Sequence, residues 1–319
     1  MVQIDNIEVD VSETCNLRCL HCTHSAPYFT TADNYELREF EIDISILAEK
    51  VHFGVIRLIG GEPLLNKDLG KYVDFIRKTQ VADKIAIFTN GLLLHKTPLT
   101  VFNHIDHLRV SLYPLDPVKT ALIKRSVTDI RKQFPALSVV VNPINFFSTF
   151  NLVIENADRE LVKKIHDKCY YRKDGLNLYN GKIYKCFAAR KKFTFLKNTT
   201  SAVTGDFQPL ERSEADVLPL EPFLTEEEIR NFLADNKPLE ACKWCLGTNG
   251  GRKVPHSQIG KWPVDHATLA DLDFEAGEKY MSNLLLSWNL DKMHLIEDDE
   301  WYKPEHVHSY FDHFGVQPF

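Results

Sequence analysis

Short apolar runs alternate with amphipathic helical patterns over the first 155 residues. Two helices are predicted at about 37–51 and 67–78, with room for a further helix before each of the last two strands. One face of the first helix bears Phe40, Ile44, Leu47 and Val51. The apolar runs predict strands at 7–11, 55–60, 84–89, 107–113 and 137–142. This alternation is typical of an α/β fold with a parallel sheet of about five β/α units.

The pattern changes after Leu176. Residues that favour strands flank Asn180-Gly181, which is a strong hairpin signal. A long irregular connection with three prolines covers 198–225, and a short helix is expected at about Glu226–Asn236. We therefore expect three parts, a barrel-like part over 1–155, a smaller domain over 156–262 and an acidic extension over 263–319.

Composition and charge exclude several classes of protein. The chain has 319 residues, 44% hydrophobic and 26% charged, with a formal net charge of −6. This is not the charge of a globally basic nucleic-acid binder. There is no apolar run of ~18 residues and no signal peptide, so we expect a cytoplasmic protein without membrane contact.

Charge is unevenly distributed along the chain. Residues 263–319 hold twelve Asp and Glu against three Lys, a net of −9, whereas Lys163–Lys197 holds eleven Lys and Arg against two Asp, a net of +9. The basic stretch would suit an anionic substrate or the acidic tail. Two solvated faces of opposite sign explain the same pattern.

Three of the seven cysteines, Cys15, Cys19 and Cys22, lie in one loop directly after the first predicted strand. The C-x3-C-x2-C spacing suits three corners of an iron–sulfur cluster, with the fourth iron open to another ligand. Zinc is the alternative, because His21 and His24 are close in sequence, although structural zinc sites favour paired C-x2-C motifs and four protein ligands.

With this spacing the chain resembles the radical S-adenosylmethionine (SAM) superfamily. Three further elements strengthen the resemblance. They are Gly60-Gly61-Glu62-Pro63 after the second strand, Thr89-Asn90-Gly91 after the third, and Ser111 near the end of the fourth. His21 occupies a position that is often aromatic in the family. All lie where parallel strands end, the edge at which barrel active sites form.

The resemblance implies a partial TIM-like (β/α) barrel and a [4Fe–4S] cluster whose open iron binds SAM. One electron, supplied by a reductant such as flavodoxin or ferredoxin, would cleave SAM to a 5′-deoxyadenosyl radical. It also implies that His21, Gly60, Gly61, Glu62, Pro63, Asn90 and Ser111 contribute to SAM binding. The two glycines would let the backbone approach the methionyl end of SAM, and the Glu62 carboxylate would pair with its ammonium.

The remaining cysteines are Cys169, Cys186, Cys242 and Cys245, the last two in a C-x2-C motif. Four thiolates suit a [4Fe–4S] cluster and a zinc site equally well. The order of a cysteine, a hairpin, a second cysteine and a distant C-x2-C resembles the twitch domain, a truncated SPASM domain. Within that group it is most similar to the 2-deoxy-scyllo-inosamine dehydrogenase family. This resemblance implies an auxiliary [4Fe–4S] cluster in a small domain of a β-hairpin plus a helix.

Three and four cysteines account for all seven, so no thiol is left to quench a substrate radical. We therefore expect oxidation of a sugar or aminocyclitol alcohol, with the auxiliary cluster as electron acceptor. A tyrosine donor at Tyr28, Tyr113 or Tyr184 would instead permit epimerisation, and Tyr113 is the preferred pocket residue. Arg190, Arg252 and His256 are candidates for a base or an anion anchor.

Two other functions remain open. One is modification of a ribosomal peptide; the first strand begins near Ile7 and leaves no room for a leader-binding domain before it, which favours a small substrate. The other is a zinc scaffold with a degenerate radical SAM domain.

Overall fold

The computed structural model describes residues 1–29, 34–144, 146–148, 150–152, 155–200, 216–248 and 253–258. The acidic extension and Arg252 lie outside the described residues. Among the residues described, no helix is long and apolar enough to cross a membrane.

Five parallel strands form the main part of the sheet, and their existence and order confirm the predicted α/β fold. In space they lie in the order β5-β4-β3-β2-β1. The strands are β1 (Val2–Ser12), β2 (Val51–Gly60), β3 (Ala82–Thr89), β4 (His107–Leu112) and β5 (Ser138–Pro143). The helices among them are α1 (Leu37–Ala48), α2 (Leu69–Thr79) and α3 (Pro117–Gln133).

The connection from β3 to β4 differs from the prediction. A helix was expected there, but the structure has two short 3-10 turns, Leu94–Lys96 and Leu99–His104. Pro98 separates them, and a proline within a longer helix would remove a backbone hydrogen bond. Buried Leu94, Val101 and Phe102 still seal this edge of the core.

The predicted hairpin is formed and extends the same sheet. Strand β7 (Asn177–Leu178) pairs in parallel with β1, and the antiparallel strands β8 (Lys182–Tyr184) and β9 (Val217–Pro219) follow. Asn180 and Gly181 have φ of 43° and 71°, the left-handed values that a tight hairpin turn requires.

Further helices surround this end of the sheet. They are α4 (Arg159–Lys168), α5 (Tyr171–Asp174), α6 (Phe187–Thr200) and α7 (Glu226–Ala234). The last confirms the helix predicted at 226–236. A separate two-stranded sheet pairs β6 (Phe146–Ser148) with β10 (Lys253–Pro255).

The two faces of the parallel sheet have different chemistry. One face packs against the helices with buried apolar side chains such as Ile7, Val9 and Leu58. Alternate residues necessarily point to the opposite face. That face combines a small apolar cluster, Val55, Ala86 and Phe88, with polar side chains. The polar side chains are Asn6, Glu8 and Asp10 on β1, Arg57 on β2, Arg109 on β4 and Asn142 on β5. The fold thus brings a row of charged and amide groups to the inner surface below the predicted cysteine loop.

Candidate active site

The first cysteine loop leaves the end of β1 and gathers Cys15, Cys19 and Cys22 in one place. Burial raises the pKa of all three thiols, to about 12 for Cys15, and the neighbouring cysteines raise the pKa of Cys15 and Cys19 further. The sulfurs are therefore close enough to destabilise one another as thiolates. A cationic centre among them would remove this cost, because a coordinated thiol is deprotonated outright.

Hydrogen-bond donors already point at these sulfurs. The Leu17 amide donates to Cys15 Sγ over 3.4 Å, and Asn90 Nδ2 lies 3.6 Å from the same atom. Backbone amides of Ala26, His24 and Ser25 serve Cys22. Donors of this kind stabilise the thiolates of iron–sulfur clusters and tune their potentials.

A short segment that is distant in sequence lies against the loop. The Leu20 amide donates to the Ser257 carbonyl over 2.9 Å, and Gln258 Oε1 accepts from the Arg18 amide over 2.6 Å. His256 Nε2 is 3.2 Å from Cys19 Sγ. This histidine was predicted as a base or anchor near the second cysteine set, but the structure places it against the first.

Tyr113 lies beside the same histidine, with ring centroids 5.0 Å apart, and packs on Phe147. Burial raises its pKa well above the usual value, and Cys19, Cys22, Cys15 and Glu62 raise it further. The phenol therefore lies close to the first cysteine loop, where a pocket residue would have to be. Its role in catalysis stays a prediction.

Gly60 and Gly61 are required by contact between two backbone segments. A Cβ on Gly60 would lie 2.0 Å from the Ser12 carbonyl oxygen, and one on Gly61 would lie 2.2 Å from that of Thr14. The Gly61 and Glu62 amides donate to the same carbonyls, over 2.7 and 2.8 Å. The glycines thus let the end of β2 support the start of the cysteine loop, a reason that adds to the predicted approach to SAM.

Gly61→Ala is expected to disturb the cysteine loop. The added methyl must displace the Thr14 backbone, which should lower the free energy of unfolding by about 1–3 kcal/mol. The displaced loop should also bind less iron at the first cysteine set. Thermal unfolding and iron content measure both effects. Gly70→Ala in α2 is the matched control, since its Cβ would meet Val101 at an ordinary 3.7 Å. Equal iron content in the two variants would contradict the expectation.

Glu62 joins the ends of β2 and β3. Its carboxylate accepts from Thr89 Oγ1 over 2.6 Å, from the Asn90 amide over 2.8 Å and from the Leu64 amide over 3.1 Å. Burial raises its pKa to about 7, against the lowering effect of these bonds. The side chain is 1% exposed, so it positions the Thr89-Asn90-Gly91 turn beside the cysteine loop. Pairing with the SAM ammonium stays a prediction.

The other predicted SAM-binding residues occupy the same edge of the sheet. His21 lies half-buried on the cysteine loop with a left-handed φ of 59°, and the buried Pro63 begins the 3-10 turn Pro63–Leu65. Asn90 Nδ2 also donates to Asn16 Oδ1 over 2.7 Å. Ser111 pairs in register with Asn142 near the end of β4. The structure thus brings these predicted elements to one edge.

The four remaining cysteines line one cavity of about 210 Å³. Cys169 ends α4, Cys186 precedes α6, and Cys242 and Cys245 lie in and after the 3-10 turn Glu240–Trp244. A cavity large enough for one water needs only ~10–15 Å³, so this one has room for a polynuclear group.

The thiols in this cavity affect one another. Burial raises the pKa of Cys169, Cys186 and Cys242, and neighbouring cysteines of the same set raise each of them further. Amides of Ala188 and Ala189 at the start of α6 donate to Cys186. Within the described ranges, no three His, Cys, Asp or Glu side chains are arranged as ligands of a single metal ion.

Arg190 belongs to a buried ion network behind the first loop. Its guanidinium donates to Glu13 Oε1 over 2.6 Å and to Asp10 Oδ2 over 2.8 Å, and Lys191 Nζ donates to Asp10 Oδ1 over 2.7 Å. Burial would lower the pKa of Arg190, but the two carboxylates raise it. The guanidinium is therefore held protonated, and its role as a base or an anion anchor stays a prediction. Glu13 and Arg190 also line a polar cavity of about 540 Å³.

Several site residues escaped the sequence analysis. Asp10 is fully buried, and Lys191 and Arg190 hold its pKa well below the usual range despite burial. Arg57 pairs with Asp174 through two bonds of 2.8 and 3.0 Å. The signal was present in the strands: IEVDV places carboxylates at alternate positions and VIRLIG contains an arginine, whereas a parallel sheet covered on both faces is usually apolar throughout.

Glu8 predicts a pH-dependent stability. Burial raises its pKa to about 8, against the lowering effect of Arg57. The folded state keeps this proton while the unfolded state releases it near pH 4.5, so stability from this group is lost as the pH rises to about 8. Glu8→Gln lacks this titrating group, so its free energy of unfolding should rise by a few kcal/mol relative to that of the wild type between pH 5 and pH 8. Denaturant unfolding at both pH values measures this gain, and parallel pH profiles would contradict it.

Comparison with known proteins shows what the first part of the chain is similar to. Residues 9–129 match the model of the radical SAM superfamily. Residues 9–129 are thus similar to a radical SAM domain, and that family implies a [4Fe–4S] cluster and SAM. Cys15, Cys19 and Cys22, with their converging N–H donors, fit three ligands of such a cluster.

Curated relatives are similar over this same part. The GTP 3′,8-cyclase of Thermodesulfovibrio yellowstonii is 30% identical over 125 residues, which cover 38% of this chain and 39% of the relative. The GTP 3′,8-cyclase of Campylobacter jejuni subsp. jejuni serotype O:2 is 33% identical over 131 residues, which cover 40% of this chain and 41% of the relative. The chain thus spans about two fifths of these relatives.

Solved structures are similar at a lower level. BtrN in complex with AdoMet and 2-DOIA has a TM-score of 0.44 and 16% identity, covering 77% of this chain and 94% of BtrN. Native anSMEcpe with bound AdoMet and Cp18Cys peptide has a TM-score of 0.44 and 12% identity, covering 75% and 83%. Likeness at this level leaves the substrate open.

Proposed function

We propose that this protein is a radical SAM dehydrogenase that holds two iron–sulfur centres and oxidises a small polar substrate. The first centre is held by Cys15, Cys19 and Cys22, and the second, a [4Fe–4S] cluster, by Cys169, Cys186, Cys242 and Cys245. SAM bound at the first centre supplies the 5′-deoxyadenosyl radical. The observation that supports this most is the sorting of all seven cysteines into two sets, with the second set lining one cavity.

The second centre distinguishes oxidation from other outcomes. The radical removes a hydrogen atom from a carbon that bears OH or NH, a base removes a proton, and the remaining electron passes to the second centre. The substrate thus loses two hydrogens in total, and each particle has an acceptor. No cysteine is left over as a hydrogen donor, which disfavours thiol-quenched epimerisation.

The surroundings of the second set support a cluster. Four neighbouring buried thiols are unfavourable as free thiolates, as the raised pKa values of Cys169, Cys186 and Cys242 indicate. The Gly247 amide donates to Cys245 Sγ over 3.3 Å, and the start of α6 directs two amides at Cys186. Such donors are typical of cluster thiolates, and the cavity exceeds what a single ion needs.

The inner face of the sheet suits a polar substrate. Its side chains include Glu8, Arg57 and Arg109. A separate polar cavity of about 540 Å³ is lined by Glu13, Arg190 and two tyrosines. Hydroxyl and amino groups of a sugar or aminocyclitol would find donors and acceptors there. Arg190 and Glu13 would act as fixed hydrogen-bonding groups.

A second candidate is cyclisation of a nucleotide, since the similar curated proteins are named GTP 3′,8-cyclase. Their similarity spans about two fifths of each chain, and the radical SAM domain covers 9–129. The four-cysteine cavity lies in the part beyond that domain. We therefore favour oxidation of a small alcohol or amine.

Anaerobic purification of the full chain with iron, sulfide and zinc analysis tests the proposal. We expect about eight irons per chain for two [4Fe–4S] clusters, and 5′-deoxyadenosine from SAM with a reductant. About four irons with one zinc would remove the electron acceptor, and failure to form 5′-deoxyadenosine would overturn radical chemistry.

The substrate class is tested by turnover of aminocyclitols and sugars, GTP, and peptides in parallel. A ketone product from an aminocyclitol or sugar supports oxidation. Deuterium from D2O on an inverted carbon would indicate epimerisation. Turnover of GTP alone would favour nucleotide cyclisation, and turnover of a peptide alone would favour peptide modification.

A further inference from the structure

Helix α6 carries two consecutive buried lysines that face different cysteine sets. Lys191 Nζ donates to Asp10 Oδ1 over 2.7 Å, close to the first loop. Lys192 lines the 210 Å³ cavity together with Cys169, Cys186, Cys242 and Cys245. Both side chains are 1% exposed. The helix thus presents one ammonium group to each predicted centre.

The two ammonium groups differ in how their charge is balanced. Lys191 is paired with the carboxylate of Asp10. Among the residues that the structure describes, the contacts of Lys192 are a hydrogen bond to Asn151 Oδ1 and the rings of Phe150 and Phe195, 5.2 and 5.4 Å from Nζ. An amide and two aromatic rings are neutral partners.

A buried ammonium group with neutral partners is costly unless an anion lies near it. Burial lowers the pKa of Lys192, and the groups that raise it are Cys245, Cys186 and Cys242. Thiolates of a loaded second centre would supply the missing negative charge. The geometry therefore links the charge of Lys192 to the charge of that centre.

We propose that Lys192 is a positioning residue that raises the reduction potential of the second centre. This rests on the proposed function, in which that centre accepts the substrate electron. An added electron increases the negative charge of the centre, and a fixed positive charge in the same buried cavity stabilises the reduced form. Lys192 would thereby favour oxidation of the substrate radical.

The test is a redox titration followed by electron paramagnetic resonance on the full chain with both centres loaded. Lys192→Met removes the charge, and Lys192→Gln removes it while keeping a hydrogen-bonding side chain. We expect the reduction equilibrium of the second centre to fall about tenfold, or ~59 mV for one electron. Lys192→Arg keeps the charge and should stay close to the wild type, and the first centre should keep its potential in all variants.

The outcomes separate this inference from the proposed function. Eight irons in the wild type with an unchanged second potential in folded Lys192→Met or Lys192→Gln would overturn the role of Lys192 and leave the proposed function in place. Four irons with one zinc in the wild type would overturn the proposed function, and the role of Lys192 with it. A lower potential in both neutral variants but not in Lys192→Arg supports the inference.

Discussion

Cys19→Ala should abolish SAM cleavage, whereas Cys242→Ala should abolish only the formation of oxidised product. Cys19→Ala is expected to lose the first cluster and with it all SAM cleavage, because three thiolates are its whole protein ligand set. Cys242→Ala is expected to lose the second cluster, keep SAM cleavage and form no oxidised product. Each variant should retain about four of about eight irons. Iron analysis, 5′-deoxyadenosine and product are measured on the same preparations.

The two variants serve as controls for each other, since each removes one buried or half-buried sulfur. Loss of all iron in both would show that the sets do not form separate centres. Formation of the oxidised product by Cys242→Ala would show that the electron leaves by another route, and the second centre would then not be the proposed electron acceptor.

Among substitutions of single charged residues, Asp10→Asn is expected to lower the free energy of unfolding most. The carboxylate is 0% exposed and accepts from Arg190, Lys191 and Asn177. Its loss leaves two buried cations with too little negative charge, which typically costs ~3–5 kcal/mol in the free energy of unfolding. Denaturant unfolding measures the change.

Arg230→Met is the matched surface control. Its partner is Glu226 on α7, and both side chains are largely exposed, so ~0–1 kcal/mol is expected. Adding Lys191→Met to Asp10→Asn should restore part of the lost stability, because the second change removes the unpaired cation. A cost below ~1 kcal/mol for Asp10→Asn alone would show that the network is not coupled to folding.

This ion network also connects the two cysteine sets. Asp10 lies on β1 just before the first loop, and its partners Arg190 and Lys191 lie on α6, whose first turn follows Cys186. His24 of the first loop stacks on Phe187 with centroids 4.7 Å apart. Helix α6 is thus held, by charge pairing and by a ring contact, against the end of the sheet that is predicted to bind SAM. In the proposed dehydrogenase, these contacts would hold the second centre at a fixed place relative to the first loop.

Local patterns were sufficient for the order of elements. Apolar runs and helical periodicity located β1 to β5, α1 and α2, because burial of a strand or helix face imposes its own period on the sequence. Asn180-Gly181 located the hairpin, since few residue pairs tolerate two left-handed positions. The helix predicted before β4 was wrong because it rested on the length of the connection alone and left out the break imposed by Pro98.

Chemistry that resides in one short segment was also accessible from the chain. The C-x3-C-x2-C spacing, Gly60-Gly61-Glu62-Pro63 and Thr89-Asn90-Gly91 each follow a strand, and parallel strands end at a common edge. That geometry is implied by strand order, so their assembly around one loop needed no long-range contact to predict.

What distant segments do to one another was decided by the tertiary structure. His256 reaches Cys19 from 237 residues away in sequence, and Lys192 enters the four-cysteine cavity while its neighbour Lys191 meets Asp10. Charge pairing and burial depend on which side chains fold into one volume, and a period in the sequence does not specify that. The sequence alone therefore determined the class of chemistry, the cysteine sets and the edge of the sheet where they lie. Folding decided which charges surround each set, because a buried charge needs a partner that only three-dimensional packing can supply.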